Sequence, residues 1–258
     1  MSEGRIDLNV QGHVAQVTID DVAKHNAMSL GMWTDLLAVF EEIDRRTEVR
    51  VCVLRGAGEK SFVSGANISE FETQRNSAAS VAHYNDMVMR TQKAIFCCRV
   101  PVIAAISGIC YGGGLGLALS CDLRYAAPHS RFRMPAARMG LGYDIENMKS
   151  ILNNLGPQAT AEAFYTARVY DAASAQAMGM VLAVVDDVFV HCTALAHEIA
   201  ANAPLTIQAA KKTLVALAED EEDMTSVETA IDACFKSKDY AEGRLAFAQK
   251  RSPQFTGL

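Results

Sequence analysis

One short stretch of the sequence limits the fold more than any other, because it joins an apolar strand, three consecutive glycines and a helix. The apolar run PVIAAI leads through a short connection into Gly112–Gly114, and a helix-favouring run follows at once. This order directs free backbone N–H groups toward a ligand, since the first turn of a helix has unpaired donors. Glycines let the ligand approach these donors without a Cβ in the way. The stretch therefore predicts an α/β element with an anion-binding loop.

The anion is not expected to be a phosphate, because the glycines fit neither the G-x-G-x-x-G register nor a Gly-Lys-Ser/Thr ending. A second loop, Ser64–Asn67, also follows a predicted strand and has small residues at its apex. Two such loops can each present one N–H group to a single oxygen, which makes an oxyanion hole. The alternative is that Gly112–Gly114 only allow close packing of the helix on the strand.

The rest of the chain alternates strand and helix patterns first and is mainly helical later. Ser29 is a candidate N-cap for an amphipathic helix, and a second helix is predicted over residues 77–97. From about Ile145 nearly everything reads as helix, with Pro204 placed as a first-turn proline. Strands are predicted in IDLNV, VAQVTID, VRVCVLRG, CDLRYAA and SRFRM. This order indicates an α/β core with a helical C-terminal extension.

Composition and charge exclude several classes of protein. The 258 residues are half hydrophobic, and the formal net charge of -6 argues against broad nucleic-acid binding. The N-terminus is polar, and the most apolar stretch is too short and too rich in glycine to span a bilayer. The seven cysteines show no metal-ligand spacing and lie mainly in apolar runs, so we expect free thiols, no metal site and a reducing, cytoplasmic compartment.

Several ordered motifs resemble those of the crotonase superfamily, the enoyl-CoA hydratases and isomerases. The resemblance covers nearly the whole chain and implies an α/β spiral of ββα units, the ClpP/crotonase-like fold, with an acyl-CoA site in residues 1–200. It also implies that residues 201–258 form a helical region for assembly into a homotrimer or a dimer of trimers. The matching stretches are KHNAM, FVSGANISEF, GICYGGGLGLALSCDLRYAA, FRMPAARMGLG and DYAEGRLAFAQKRSPQF.

The resemblance implies an acyl-CoA thioester whose carbonyl oxygen is held by the backbone N–H groups of Ala66 and Gly113. It places Lys24 near the CoA phosphates and Ile68 against the adenine, with Ala66 also at the CoA site. Lys250 resembles the lysine that reaches a CoA bound to a neighbouring subunit. The alternative for both lysines is a solvated surface charge. No cofactor beyond the CoA moiety of the substrate is implied.

The sequence departs from the family at the two glutamates with which hydratases activate water. Their positions are occupied here by Gly116 and Ala136, neither of which can transfer a proton. Loss of a general acid or base typically costs about 10²–10⁴-fold in rate per group. We therefore expect no efficient hydration, although overall similarity alone suggests a hydratase.

A nearby loop, MGLGYDIENM, offers other reactive groups. Dienoyl-CoA isomerases and 4-chlorobenzoyl-CoA dehalogenases resemble this chain locally and carry an aspartate at the position of Asp144. The tryptophan and histidine of the dehalogenases, however, align with Ala136 and about Met89. Tyr143 matches a tyrosine of decarboxylating members, whose oxyanion loop holds a histidine where Ala66 stands here.

We predict a double-bond isomerase that stabilises an enolate, with Asp144 as its acid and base and Tyr143 beside it. The alternatives are a hydratase, a thioester hydrolase, a decarboxylase, or an acyl-CoA-binding protein without catalysis. Asp144 has an alternative role as the N-cap of a helix beginning near Ile145. A carboxylate turned toward the amides of residues 146 and 147 would favour capping.

Overall fold

The computed structural model describes residues 4–67 and 78–258, and its strands form two sheets. The six-stranded sheet has the order β1-β2-β3-β5-β7-β10, and the four-stranded sheet has the order β4-β6-β8-β9. The strands are β1 (Arg5–Gln11), β2 (Val14–Asp20), β3 (Val51–Gly56), β4 (Ser61–Val63), β5 (Val102–Ile106), β6 (Ile109–Tyr111), β7 (Leu123–Ala126), β8 (Arg131–Arg133), β9 (Tyr170–Asp171) and β10 (Ala183–Val184).

The two sheets are built together, one turn of chain at a time. Strands β3, β5 and β7 are parallel neighbours in the first sheet, while β4, β6 and β8 are parallel neighbours in the second. Each strand of the first set is followed directly by one of the second and then by a helix. This repetition is the predicted spiral of ββα units, which confirms the fold class.

The helices become more frequent toward the C-terminus, as the sequence predicts. A short 3-10 helix spans Val22–Lys24. The described α-helices are α1 (Leu30–Arg45), α2 (Ala78–Phe96), α3 (Gly113–Leu119), α4 (Ala136–Met139), α5 (Ile145–Thr166), α6 (Ala172–Ala177), α7 (Val188–Ala201), α8 (Pro204–Ala218), α9 (Thr225–Lys236) and α10 (Lys238–Gln249).

Helix α1 begins where the sequence predicts. The Ser29 hydroxyl accepts a hydrogen bond from the Met32 N–H at 3.1 Å, which satisfies a first-turn donor. Apolar side chains then recur at helical spacing, and those of Trp33, Leu36 and Phe40 are almost fully buried. They join the main core together with residues of α2 and the strands.

Strand β3 is buried on both faces, which explains its uninterrupted apolar sequence. Successive side chains of a strand point to opposite faces, so Cys52 and Leu54 enter the main core. Val51 and Val53 enter a second cluster, in which α7 contributes Cys192 among its buried side chains. Helix α7 thus covers the outer face of the six-stranded sheet.

A buried ion pair ties α8 to the strands. The Lys211 ammonium, only 5% exposed, lies 2.6 Å from a carboxylate oxygen of Asp122 and also donates to the Val100 carbonyl. The same Asp122 oxygen accepts the Val102 N–H at 2.7 Å. Helix α7 ends at Ala201, and the division of the chain into residues 1–200 and 201–258 stays a prediction.

The cysteines are free thiols. Cys52, Cys110 and Cys121 are buried, as their apolar sequence context predicts. Burial raises the pKa of Cys121 to about 12, so this thiol stays protonated at neutral pH. Within the described ranges, no group of His, Cys, Asp and Glu side chains is arranged to hold a metal ion. Among the described helices, none combines the length and the apolar character that crossing a bilayer requires.

Candidate active site

The glycine loop packs the first turn of α3 against the end of β4. Gly112 has φ 52°, in the half of conformational space that favours glycine, and its N–H donates to the Arg133 carbonyl at 2.9 Å. A Cβ on Gly114 would overlap the backbone carbonyl of Val63. Gly114 therefore has the close-packing role, because only a residue without a side chain allows α3 to lie this close to β4.

The second loop follows β4 and is held by backbone hydrogen bonds to residue 28. The Met28 N–H donates to the Gly65 carbonyl at 2.8 Å, and the Asn67 N–H donates to the Met28 carbonyl at 2.9 Å. In such a parallel bridge, the intervening Ala66 turns its own N–H and carbonyl away from Met28. The Ala66 N–H is thus directed to the other side of the loop.

Two backbone donors are consequently left without a protein acceptor. Neither the Ala66 N–H nor the Gly113 N–H donates to any residue in the described part of the chain. Because β4 and β6 are parallel neighbours, the loops that follow them lie at the same end of their sheet. A Cβ on Gly65 would indeed lie 3.4 Å from the Tyr111 carbonyl oxygen. Two unpaired donors on adjacent loops can bind one developing oxyanion.

Aromatic side chains extend from the glycine loop toward the loop that carries Asp144. A Cβ on Gly113 would contact Trp33 Cζ2 at 3.5 Å, and the Trp33 indole N–H donates to the Tyr84 hydroxyl at 3.1 Å. Tyr143 packs edge-on against Phe164, with ring centroids 5.0 Å apart. Burial, with smaller contributions from Asp144 and Tyr84, raises the pKa of Tyr143 to about 12. Tyr143 therefore stays protonated, which suits a hydrogen-bond donor and not a base.

Asp144 caps α5. One carboxylate oxygen accepts the backbone N–H of Asn147 at 2.9 Å, and the other accepts the Asn147 side-chain amide at 2.6 Å. The residue is exposed. The capping alternative is therefore present in the structure, and each Asp144 oxygen keeps a second lone pair that a proton can occupy. Glu146 is also exposed, in the first turn of α5, where a negative charge complements the helix dipole.

The two positions at which hydratases carry glutamate provide no carboxylate. Gly116 is buried in α3, and a Cβ there would lie 2.8 Å from the side-chain nitrogen of Gln92 on α2. Ala136 is 5% exposed at the start of α4. Sequence reasoning did not single out Gln92. The sequence signal that could have identified Gln92 is its spacing from Val88 and Tyr84, which lie four and eight residues earlier. This spacing places a polar group on the buried side of α2.

The predicted CoA contacts are only partly described. Lys24 ends the 3-10 helix beside the second loop, where the Ser64 N–H donates to the neighbouring His25 carbonyl. The Lys24 side chain is 43% exposed, 4.0 Å from Asp21. Ile68 lies outside the described residues. Lys250 is exposed at the C-terminus of α10, and its contact with a neighbouring subunit stays a prediction.

The spiral fold and the two unpaired backbone donors define a protein of the crotonase class. The chain belongs to the enoyl-CoA hydratase/isomerase family, whose model matches residues 9–258. Acyl-CoA chemistry is what this family shares, which agrees with the resemblance seen in the sequence.

Individual relatives are named for different reactions. The chain is 30% identical to a short-chain-enoyl-CoA hydratase of Clostridium acetobutylicum, with 97% of each chain covered. It is 32% identical to the mitochondrial Delta(3,5)-Delta(2,4)-dienoyl-CoA isomerase of Mus musculus, over 80% of this chain and 67% of that one. A crystal structure of an enoyl-CoA hydratase/carnithine racemase from Magnetospirillum magneticum has a TM-score of 0.91 and 36% identity, covering 98% of this chain and 96% of that one. The names of the relatives therefore do not determine which reaction this chain catalyses.

Proposed function

We propose that the protein binds an acyl-CoA thioester with the carbonyl oxygen between the N–H groups of Ala66 and Gly113, and stabilises the enolate that forms there. The observation that carries this proposal is that both donors lack an acceptor within residues 4–67 and 78–258 and lie on adjacent loops. One such donor is worth about 3–4 kcal/mol of transition-state stabilisation in other enzymes. Neither this step nor those below require a cofactor beyond the CoA moiety.

The first reaction proposed is isomerisation of a double bond. Asp144 removes a proton from a carbon of the bound acyl group, and the electron pair is delocalised into the enolate at the oxyanion hole. The same carboxyl group then returns a proton to a different carbon, which moves the double bond. The proton is taken by a free lone pair of an Asp144 oxygen, while the carboxylate keeps the cap of α5. Tyr143, next to Asp144 in the chain, is protonated and is therefore available as a hydrogen-bond donor.

The second reaction proposed is decarboxylation, and one observation favours it. Both Asp144 oxygens are hydrogen-bonded to Asn147, and the positions of the family glutamates hold Gly116 and Ala136. Loss of carbon dioxide generates an enolate without any base, because the electrons of the broken C–C bond become those of the enolate. A proton from water then completes the product. This reaction requires of the protein only the oxyanion hole and a place for the carboxylate.

Product analysis in deuterated water distinguishes these reactions. Wild type, Asp144→Asn and the control Asp187→Asn are each offered enoyl-, dienoyl-, aryl- and malonyl-type CoA thioesters, and the products are identified by mass spectrometry. Asp187 is also an N-cap aspartate, on α7, so the control makes the same chemical change in another helix. Asparagine caps helices as well as aspartate does, so both variants are expected to fold.

Each outcome identifies one reaction. A shifted double bond with deuterium at carbon, lost in Asp144→Asn and kept in Asp187→Asn, is expected of the isomerase. Loss of carbon dioxide at an equal rate in all three proteins identifies a decarboxylase. Added water would show that hydration proceeds without the two glutamates, and released CoA thiol would show a hydrolase. Binding of thioesters without turnover would leave an acyl-CoA-binding protein, and failure to bind any of them would contradict the proposal.

A further inference from the structure

Gln92 is a buried amide without a hydrogen-bond partner among the described residues. Its residue exposure is 9%, yet its side chain makes no hydrogen bond with any described residue. The fully enclosed polar side-chain atoms without a partner, in the part of the chain that the structure covers, are Thr160 Oγ1 and His191 Nε2. The Gln92 amide nitrogen and oxygen are not among them, so each unpaired atom keeps a small solvent-accessible surface.

The amide lies against α3 at the position of Gly116. A Cβ at residue 116 would be 2.8 Å from Gln92 Nε2, 3.6 Å from Cδ and 3.8 Å from Oε1. The space beside α3 that a side chain at residue 116 would occupy is thus taken by an amide from α2. This contact explains why residue 116 is a glycine in this chain, since even a methyl group there would displace the Gln92 amide.

The location relative to the oxyanion hole follows from helix geometry. Gly116 is three residues after Gly113, so it lies nearly one turn along α3, a rise of roughly 4.5 Å. Tyr84, Val88 and Gln92 are spaced by four along α2 and therefore share one face of that helix. An acyl chain with its carbonyl oxygen at the Gly113 N–H and its tail along this face passes the Gln92 amide within a few bonds of the thioester.

We propose that Gln92 is a specificity-determining residue whose amide binds an oxygen on the third carbon of the acyl group. The inference rests on the proposed binding of an acyl-CoA in the oxyanion hole. An uncharged amide donates and accepts hydrogen bonds but does not transfer protons, so Gln92 positions the substrate and does not replace the missing acids. Suitable substituents are a carboxylate, a ketone or a hydroxyl group. A hydrocarbon acyl chain leaves the buried amide unpaired, which disfavours its binding.

The test compares ligands that differ at the third carbon. Binding of butyryl-, 3-hydroxybutyryl-, acetoacetyl- and malonyl-CoA is measured by calorimetry for wild type, Gln92→Leu and Gly116→Ala. Gly116→Ala retains the Gln92 amide but displaces it from its position beside α3. A loss of affinity seen in both variants is therefore not explained by an effect of Gln92→Leu on folding. Asn85→Leu is the matched control, because Asn85 is an exposed amide on the same helix. Thermal unfolding confirms that each variant is folded.

We expect at least one oxygenated ligand to lose about 10- to 100-fold in affinity in both Gln92→Leu and Gly116→Ala, while butyryl-CoA binds Gln92→Leu as tightly as wild type or more tightly and Asn85→Leu behaves like wild type. The ligand that loses most identifies the substituent. If the ratio of affinities between the oxygenated ligands and butyryl-CoA is the same in the variants as in wild type, the role of Gln92 is wrong but the proposed function still stands. An equal loss of affinity for all four ligands would also overturn this role, because it indicates an effect on packing or on a bound water. Failure of wild type to bind any of the thioesters would overturn the proposed function as well.

Discussion

Adjacent glycines at the start of α3 have different physical roles. A Cβ at Gly114 would overlap the backbone carbonyl of Val63, which no change of rotamer can relieve. A Cβ at Gly113 would only contact the Trp33 ring at 3.5 Å, an ordinary van der Waals distance. The close approach of α3 to β4 therefore depends on Gly114, whereas the Gly113 N–H and not its missing side chain matters for the site.

We expect Gly114→Ala to lower the free energy of unfolding by about 2–4 kcal/mol, because the backbone must shift or the helix must separate from β4. Gly113→Ala is expected to change it by less than about 1 kcal/mol, since alanine is the better helix former. Urea unfolding followed by circular dichroism measures both. Equal stability of the two variants would contradict the packing role assigned to Gly114.

Residues that act through their backbone N–H groups could be predicted from the sequence, whereas residues whose role depends on a side chain distant in the sequence could not. The glycine loop and the second loop can be recognised locally, since their character lies in a few consecutive small residues. Gln92 has meaning only because a distant residue, Gly116, leaves space for it, and Lys211 only because Asp122 meets its ammonium group. Asp144 shows a related difficulty, since one carboxylate is suited by position both to a cap and to a base.

At the scale of elements, the ion pair between Lys211 and Asp122 joins α8 to the start of β5. Removing the ammonium leaves a carboxylate that retains only the Val102 N–H as a partner. We expect Lys211→Met to lower the free energy of unfolding by about 3 kcal/mol. The neighbouring Lys212 is exposed, so Lys212→Met is the matched control, with an expected change within about 0.5 kcal/mol. Similar losses in both variants would show that the pair does not tie α8 to the sheet.

The hydrogen bonds that join the C-terminal segment to Glu242 of α10 should be lost in acid. Glu242 accepts two hydrogen bonds from the Arg251 guanidinium and one from the Gln254 N–H. These contacts lower the pKa of Glu242 from 4.5 to about 2. Because the folded pKa is depressed, the stabilisation is complete above about 4.5 and is lost as the pH falls toward 2.

Hydrogen exchange of the Gln254 amide at a series of pH values tests this loss. In wild type, protection is expected to fall between pH 4.5 and about 2, the range set by the shifted pKa of Glu242. Glu242→Gln should expose this amide already at neutral pH and remove its pH dependence, whereas the Thr256 and Gly257 amides donate to Asp239 and serve as internal controls. A Gln254 amide that stays protected in the variant would contradict the role assigned to Glu242.

Elements with a clear period or cap could be predicted, and very short ones could not. Helix α1 followed from Ser29 and its apolar spacing, and α8 from Pro204 at its first turn. Strands β9 and β10 have two residues each, too few to show an alternating pattern. Both pair with strands distant in sequence, so their formation depends on the assembled sheets and not on local propensity.

At the scale of the whole molecule, local signals predicted an α/β core with a helical C-terminal extension, and the resemblance supplied the spiral of ββα units. Assembly is different in kind, since no local pattern distinguishes an apolar residue that packs within the chain from one that packs on a copy. The trimer or dimer of trimers is an implication of the resemblance and stays a prediction. Helices α8 to α10 expose many large apolar side chains: Leu214, Leu217, Ile231, Phe235, Leu245 and Phe247.

We expect these helices to form the contacts between copies. Phe247 is 88% exposed on α10, and Phe235 is 62% exposed on α9 beside an apolar cleft of about 430 Å³. Phe247→Glu combined with Phe235→Glu should dissociate the assembly, because carboxylates resist burial at an interface. Val190→Glu on α7, at an apolar residue 65% exposed, is the control.

Light scattering coupled to size exclusion gives the mass of each protein. Wild type and Val190→Glu are expected at three or six times 27.9 kDa, and the double variant at the mass of one chain. Lys250 adds a functional readout, because a lysine that reaches the CoA of a neighbour contributes to affinity only in the assembly. Lys250→Ala should then weaken CoA binding in the wild-type background and have no effect in the dissociated variant. An equal effect in both backgrounds would mean that Lys250 acts within its own chain, and a monomeric wild type would contradict the assembly itself.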